Sequence, residues 1–104
     1  MRNNIIFAPD VEAALRKIRA YDRVAVLEAI ERHLRFEPTK TTKSRIKALR
    51  SVSHPQYRLR IGDLRAFYDV SPGQVEVVAV VAKEGAADWL ARWGVRVAEE
   101  GGLP

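Results

Sequence analysis

The chain has 104 residues, of which 47% are hydrophobic and 30% charged, and it contains no cysteine. This length suits one domain with an adequate core, and the near-average composition argues against disordered or fibrous classes. The lack of cysteine excludes disulfides, cysteine-ligated zinc and thiol catalysis. No apolar run approaches the roughly 20 residues of a membrane span, and the run near Ile5 is too short for a signal peptide. These features predict a cytoplasmic domain without a membrane partner.

The excess positive charge is concentrated in one segment. The net charge is +5, whereas Lys40 to Arg65 contains eight cations and one acid, Asp63, for a local charge of +7. The remaining 78 residues therefore sum to −2. A local excess is typical of a surface that binds a polyanion, although a solvated basic loop has the same composition. Aromatic residues among these cations favour nucleic acid, because bases stack on rings: Tyr57, Phe67 and Tyr68.

The N-terminal third has the pattern of a strand followed by two helices. Residues 3–7 form a short β-rich run that ends at Ala8-Pro9. Asp10 and Asp22 are then predicted as the N-caps of two helices that meet in a tight turn near Tyr21. Pro38 ends the second helix, because the residue before a proline is forced out of the helical region. The apolar residues at helical spacing are Val11, Ala14, Leu15 and Ile18 in the first helix, and Val26, Leu27, Ile30 and Leu34 in the second.

The second half of the chain changes to strand patterning. A short edge strand is predicted over 45–49, followed by strands over 57–61, 64–70 and 75–81 with turns between them. The last strand is almost unbroken β-branched sequence, as expected of a central strand covered on both faces. A short helix over 85–93 ends at Gly94. Residues 1–94 are thus predicted to form one domain, and residues 95–104 a flexible tail.

The element order predicts an α+β fold. In this fold the N-terminal strand and the helical hairpin pack on one face of a small, mainly antiparallel twisted sheet, with a short C-terminal helix. If Leu59 and Ile61 face the helices, strand parity turns Arg58 and Arg60 to the other face. On the next strand, parity sends Leu64, Ala66, Tyr68 and Val70 to the core and Arg65, Phe67 and Asp69 outward. The outward face is therefore predicted to carry three arginines and one aromatic ring.

Guanidinium groups on a rigid sheet bind phosphates and stabilise the charge that develops on a scissile phosphate. Lys47 adds a point charge or a proton donor on the neighbouring basic segment. RNA cleavage requires no metal, because the 2′-hydroxyl is itself a nucleophile once it is in line with its phosphate. The sequence has no glycine-rich phosphate loop and no grouping with metal-ligand spacing, so we predict no cofactor and no metal. His54 lies just before the arginine strand. A histidine in such a loop is more often a hydrogen-bonded turn residue than a catalytic residue.

Residues 57–70, YRLRIGDLRAFYDV, resemble the characteristic hairpin of the RelE/ParE toxins of bacterial toxin–antitoxin systems, and Lys47-Ala48-Leu49 resembles the basic segment before it. The likeness extends over roughly residues 4–92. It implies a small toxin that a cognate antitoxin neutralises in a hetero-oligomer. RelE-like members cut mRNA in the ribosomal A site without metal, through basic residues that match Arg58, Arg60 and Arg65, with Lys47 close by.

The chain departs from the RelE pattern after the last strand. RelE-type ribonucleases have an arginine there and a tyrosine about six residues later, where this chain has Lys83-Glu84 and then Trp89-Leu90. ParE-like members share the fold, lack the ribonuclease set and poison DNA gyrase.

Together these features predict a metal-independent, ribosome-dependent mRNA endonuclease. The alternatives are a non-nucleolytic toxin directed at gyrase or another protein, and a degenerate member that only binds an antitoxin. The predicted catalytic residues are Arg58, Arg60, Arg65 and Lys47, and the predicted RNA-binding residues are Lys43, Arg45, Phe67, Tyr68 and Lys83.

Overall fold

The computed structural model describes residues 2–96. The predicted α+β architecture is confirmed. The elements follow in the order β1 (Asn4–Phe7), α1 (Pro9–Lys17), α2 (Ala20–Leu34), β2 (Ile46–Ala48), β3 (Val52–His54), β4 (Tyr57–Ile61), β5 (Leu64–Ser71), β6 (Gln74–Ala82), a 3₁₀ turn (Lys83–Gly85), α3 (Ala86–Trp93) and β7 (Val95–Arg96).

Five of the strands form one sheet in the order β1-β6-β5-β4-β2. Strand β1 runs parallel to β6, and the other neighbours are antiparallel. Two-residue turns close the β4–β5 and β5–β6 hairpins, and each contains a glycine with a positive φ, +56° at Gly62 and +73° at Gly73. Glycine adopts this conformation without the steric cost that a side chain imposes, so these turns fix the register of both hairpins.

Helices α1 and α2 cover one face of this sheet. The core contains residues from α1 and α2 and the alternate residues of β2, β4, β5 and β6 that point toward them: Val11, Leu15, Val26, Ile30, Leu34, Ile46, Leu59, Ile61, Ala66, Tyr68, Val75 and Val77. Burial of this apolar surface is the main driving force that holds the two layers together. Within residues 2–96, no helix has the length and apolar character needed to span a bilayer.

Both helix starts differ from the prediction. Helix α1 begins at Pro9 with Ala8 as N-cap, because the fixed φ of proline suits the first helical position. Helix α2 begins at Ala20, and Asp22 lies in its first turn, where it accepts a hydrogen bond from Arg19 Nε at 3.3 Å. Asp10 and Asp22 are therefore not caps. Leu27, which was predicted on the apolar face of α2, is 41% exposed.

A second, two-stranded sheet of β3 and β7 was not predicted. Val95 and Arg96 belong to it, so the predicted boundary at Gly94 falls before the last paired residues. The remainder of the predicted tail, 97–104, lies outside the described residues. Gly94 joins α3 to β7 in a tight space, because a Cβ there would lie 2.7 Å from the carbonyl oxygen of Leu90 and 2.9 Å from Val52 Cγ1.

Candidate nucleic-acid interface

The face of the five-stranded sheet opposite α1 and α2, here called the outer face, carries four cations in two adjacent rows. Lys47 on β2 is directly opposite Arg58 on β4, and Arg60 on β4 is directly opposite Arg65 on β5. We call these four residues the cationic cluster. Within residues 2–96, none of the four forms an ion pair with a carboxylate. Like charges directly opposite each other destabilise a sheet, so the two pairs impose a cost that no acid in the described chain offsets.

Arg58 is the least solvated member of the cluster. Its side chain is half-buried, and its Nε is a buried donor that has no hydrogen-bond partner among the described residues. Burial lowers the pKa of the Arg58 guanidinium, and the charges of Arg65 and Arg60 lower it further, although arginine remains charged at neutral pH. A buried donor without a partner is rare in folded proteins, and an anionic ligand would satisfy it.

Arg65 is held by the β4–β5 turn. Its Nη1 donates to the carbonyl oxygens of Gly62 at 2.8 Å and Leu64 at 2.9 Å. These two bonds fix the guanidinium beside the turn. Arg65 is thus a pre-positioned donor, whereas Lys47 and Arg60 are exposed and more freely solvated.

The prediction that Phe67 presents an open ring is wrong. Phe67 does point to the outer face, opposite Arg58, but it is fully buried because Trp89 of α3 stacks on it with a centroid distance of 4.9 Å and an interplanar angle of 8°. Helix α3 therefore covers part of the outer face beside the cluster. In this conformation, Phe67 cannot stack a base.

Tyr68 is also unavailable to RNA. It lies on the helical side, fully buried, and it stacks on Tyr57 with a centroid distance of 5.5 Å. Its hydroxyl donates to the carbonyl oxygen of Pro38 at 2.6 Å. Burial raises the pKa of this hydroxyl well above its usual value, so it is neutral and engaged in the core. The predicted RNA-binding role of Tyr68 conflicts with this placement.

Replacing Tyr68 by phenylalanine tests the structural assignment. The change leaves the Pro38 carbonyl without its donor, and we expect a loss of about 1–3 kcal/mol in the free energy of unfolding. Because the hydroxyl lies on the opposite side of the sheet from the cluster, toxicity on expression should persist. Urea unfolding and a growth assay measure the two effects. A variant that keeps its stability and loses toxicity would contradict this assignment.

The other predicted RNA-binding residues lie around the cluster rather than in it. Lys83 follows β6, and its Nζ is 3.6 Å from Asp63 Oδ1 at the β4–β5 turn, which places it at the same end of the sheet as Arg60 and Arg65. Lys43 is exposed in the loop before β2. Arg45 lines a cleft with Arg32 and His33 of α2. The sequence offered no signal that would join Arg32 and His33 to the basic segment.

His54 is paired away from the cluster. Its Nδ1 contacts Oδ2 of Asp69, and Oδ1 of the same carboxylate accepts from the backbone N–H of Gln56 at 2.9 Å. Asp69 points to the outer face, but Phe67 lies between it and Arg65 along β5. A hydrogen-bonded structural role fits this arrangement. In the part of the chain that the structure describes, no three His, Asp or Glu side chains are grouped so as to hold a metal ion.

This fold and its basic hairpin define a small toxin of the RelE/ParE type. The family model described as "ParE toxin of type II toxin-antitoxin system, parDE" matches residues 5–87. The chain belongs to this family.

Solved structures show the same fold. The archaeal RelE–RelB complex from Pyrococcus horikoshii matches with a TM-score of 0.65 and 22% identity over 80% of this chain and 97% of that chain. The RelB–RelE antitoxin–toxin complex from Methanococcus jannaschii matches with a TM-score of 0.62 and 20% identity over 81% of this chain and 96% of that chain. The toxin–antitoxin complex RelBE2 from Mycobacterium tuberculosis matches with a TM-score of 0.65 and 21% identity over 79% of this chain and 99% of that chain. No curated protein matches the chain.

Proposed function

We propose that this toxin is a metal-independent endonuclease of ribosome-bound mRNA and that the cationic cluster holds the scissile phosphate. The observation that supports this proposal best is the pair of like-charged cross-strand contacts, Lys47–Arg58 and Arg60–Arg65, without a carboxylate partner in the described chain. A phosphodiester between the two rows would relieve both repulsions and would give the buried Nε of Arg58 its missing acceptor.

The chemistry that suits this arrangement is attack by the RNA's own 2′-hydroxyl. The 2′-hydroxyl loses its proton to a water molecule as its oxygen bonds to the adjacent phosphorus, the bond from phosphorus to the 5′-oxygen breaks, and a cyclic phosphate remains on the upstream fragment. Negative charge on the phosphate oxygens grows in the transition state, and the guanidiniums of Arg58 and Arg65 stabilise it. Lys47 is the one lysine in the cluster, and we assign to it the proton that the leaving oxygen takes up. Binding to the ribosome would hold the mRNA in line for attack.

We further propose a cognate antitoxin as the partner of this chain in a hetero-oligomer, located in the cytoplasm with the ribosomes. The three similar structures are complexes of a toxin with its antitoxin, and this chain covers nearly all of each matched chain. An antitoxin segment with carboxylates over the cationic cluster would neutralise it and exclude mRNA.

A toxin directed at DNA gyrase is the second candidate. The family model that matches is that of ParE, and this chain has Lys83 and Trp89 where the RelE-type ribonucleases place an arginine and a tyrosine. In addition, the Tyr68 hydroxyl is bonded to the Pro38 carbonyl oxygen on the helical side of the sheet, and His54 Nδ1 is paired with Asp69.

Parallel assays in a translating extract separate the candidates. The purified chain is added to an extract that holds a reporter mRNA and a supercoiled plasmid, and mRNA 5′ ends and plasmid topology are measured in the same sample. We expect new 5′ ends within the translated region, none when translation initiation is blocked, and no change in plasmid topology. Intact mRNA together with gyrase-dependent DNA breaks would contradict the ribonuclease proposal and support the second candidate.

A further inference from the structure

A cleft at the corner between α2 and the loop before β2 forms a separate basic site. Its volume is about 250 Å³, and its polar lining comes from α2 and from the loop of residues 35–45. We call it the corner cleft. The residues used below are Arg32, His33, Glu37, Lys40, Thr42 and Arg45. A shallow hollow along α2 adjoins it and shares Arg32, His33 and Arg45.

The loop that forms the cleft is anchored at both ends. At its start, the carbonyl oxygen of Pro38, a buried residue, accepts the hydrogen bond from Tyr68. At its end, the backbone N–H of Thr42 donates to the carbonyl oxygen of Ile46 at 3.0 Å, and Thr42 Oγ1 accepts from the backbone N–H of Arg45 at 2.9 Å. These hydrogen bonds hold the backbone on both sides of the cleft, which favours a preorganised site.

The charge in the corner cleft is positive. It contains three cations and one carboxylate, Glu37, whose Oε2 lies 3.8 Å from Lys40 Nζ with both side chains exposed. An exposed pair of this kind contributes little, so Arg32 and Arg45 remain free to bind an anion. Burial lowers the pKa of His33, and the charges of Arg45 and Arg32 lower it further, so the imidazole is neutral at pH 7.

We propose that the corner cleft is a second RNA-backbone site, in which Arg32, Arg45 and His33 bind one phosphate group of the strand that passes over the cationic cluster. Arg45 connects the two sites, because its carbonyl oxygen accepts the backbone N–H of Arg60 at 2.8 Å. The corner cleft therefore lies at the start of the edge strand β2, at Ile46, and the next residue of that strand is Lys47 of the cluster. The assignment to RNA rests on the proposed function.

Phosphate suits the cleft better than an acidic peptide does. Guanidiniums bind phosphate oxygens in a planar, bidentate manner, and the Thr42 and Ser44 side chains add polar groups. Most of the affinity of a peptide interface comes from a few anchors that fill well-packed, desolvated pockets. The one large apolar residue that lines the cleft, Ile46, is buried in the core and offers no such anchor.

Salt dependence of RNA binding tests the inference. The probe is a labelled single-stranded 2′-O-methyl RNA, which cannot be cleaved because it lacks the nucleophile, and binding is followed by fluorescence anisotropy across a KCl series. Each lost phosphate contact reduces the slope of log K against log salt by about 0.7 on a single strand. The double variant Arg32→Gln/Arg45→Gln should lose one phosphate contact. The slope of log K against log salt should therefore be lower by about 0.7. The control, Arg16→Gln, changes an exposed arginine of α1 and should bind as the parent does.

The variant Arg58→Gln/Arg60→Gln distinguishes this inference from the proposed function. If the corner-cleft variant keeps the parental slope while the cluster variant loses binding, the corner cleft is not an RNA site and the proposed function stands. If the corner-cleft variant lowers the slope and the cluster variant does not, RNA binding by the corner cleft is supported, whereas the path of the strand over the cluster and the proposed function are contradicted.

The pH dependence gives an independent readout. Bound phosphate favours the protonated form of His33, so RNA affinity should rise as the pH falls from 8 to 6. This rise should disappear in His33→Gln and persist in His54→Gln, because His54 is paired with Asp69 outside the cleft. Displacement of the probe by an octaglutamate peptide that itself binds more tightly than RNA would contradict the assignment. So would a shift of the His33 resonances with inorganic phosphate and no effect of RNA on them.

Discussion

Replacing Arg58 and Arg60 together by glutamine should reduce mRNA cleavage by at least about 10²–10³-fold, the loss typical of removing one preorganised donor from a developing oxyanion. Arg58 would offer the phosphate its buried Nε donor. Arg60 would add the positive charge of a residue that lies directly opposite Arg65. Glutamine keeps much of the length and polarity of each side chain and removes the charge. The initial rate of appearance of new mRNA 5′ ends in a translating extract measures the effect.

This variant should be at least as stable as the parent. The change removes one partner from each like-charged cross-strand pair, and such pairs destabilise a sheet by roughly 0.2–1 kcal/mol each. Urea midpoints should therefore stay equal or rise while activity falls. The matched control is Arg16→Gln on α1, which should change neither quantity. Parental cleavage by a folded double variant would contradict the role of the cluster.

Replacing Phe67 by alanine should lower the free energy of unfolding by about 3–5 kcal/mol, the usual cost of truncating a buried phenylalanine. Phe67 has no exposed surface, and its ring is the platform on which Trp89 docks α3 against the sheet. Loss of the ring would leave a cavity and detach the indole from its stacking partner. Thermal or urea unfolding followed by circular dichroism measures the change.

The variant Phe67→Leu separates packing from base recognition. Leucine retains most of the buried apolar contact but has no aromatic face, so we expect a smaller loss of stability and near-parental mRNA cleavage. If Phe67 stacked a base, this variant would lose cleavage while remaining folded. A folded Phe67→Leu protein with cleavage reduced tenfold or more would show that α3 moves aside and exposes the ring during function.

Strand parity was the most informative feature of the sequence. The alternation in residues 57–61 and the Gly62-Asp63 turn were sufficient to predict that Arg58, Arg60 and Arg65 share one face, because a two-residue turn fixes the hairpin register. The helical hairpin followed from apolar residues at helical spacing. These predictions rest on local, repetitive patterns, which is why they agree with the structure.

Which element covers a face of the sheet is not a local property of the sequence. The sequence was therefore insufficient to predict which outward residues are buried. Parity placed Phe67 outward correctly, but only the tertiary fold shows Trp89 stacked upon it. The pairing of β3 with β7 joins residues about 40 positions apart over two or three residues each, which is too short for a pattern. The predicted start of α1 was wrong because Pro9 at the first helical position took precedence over the side-chain cap predicted at Asp10.

The position of Arg45 also depends on the fold. Arg45 was predicted to bind RNA and to begin the edge strand over 45–49, yet β2 begins at Ile46 and the Arg45 side chain lines a cleft with two residues of α2. The contact joins segments 12 and 13 residues apart through an irregular loop, and no sequence period describes such a loop. The corner cleft could therefore not be predicted from the sequence.

The most direct measurement of the central claim is the structure of this toxin bound to a translating ribosome with a 2′-O-methyl substitution that blocks cleavage of the mRNA. The proposed function predicts a phosphate of the mRNA between the Lys47–Arg58 and Arg60–Arg65 pairs, with one of its oxygens within hydrogen-bond distance of Arg58 Nε. An mRNA strand that passes over a different surface, or a cationic cluster in contact only with protein, would contradict it.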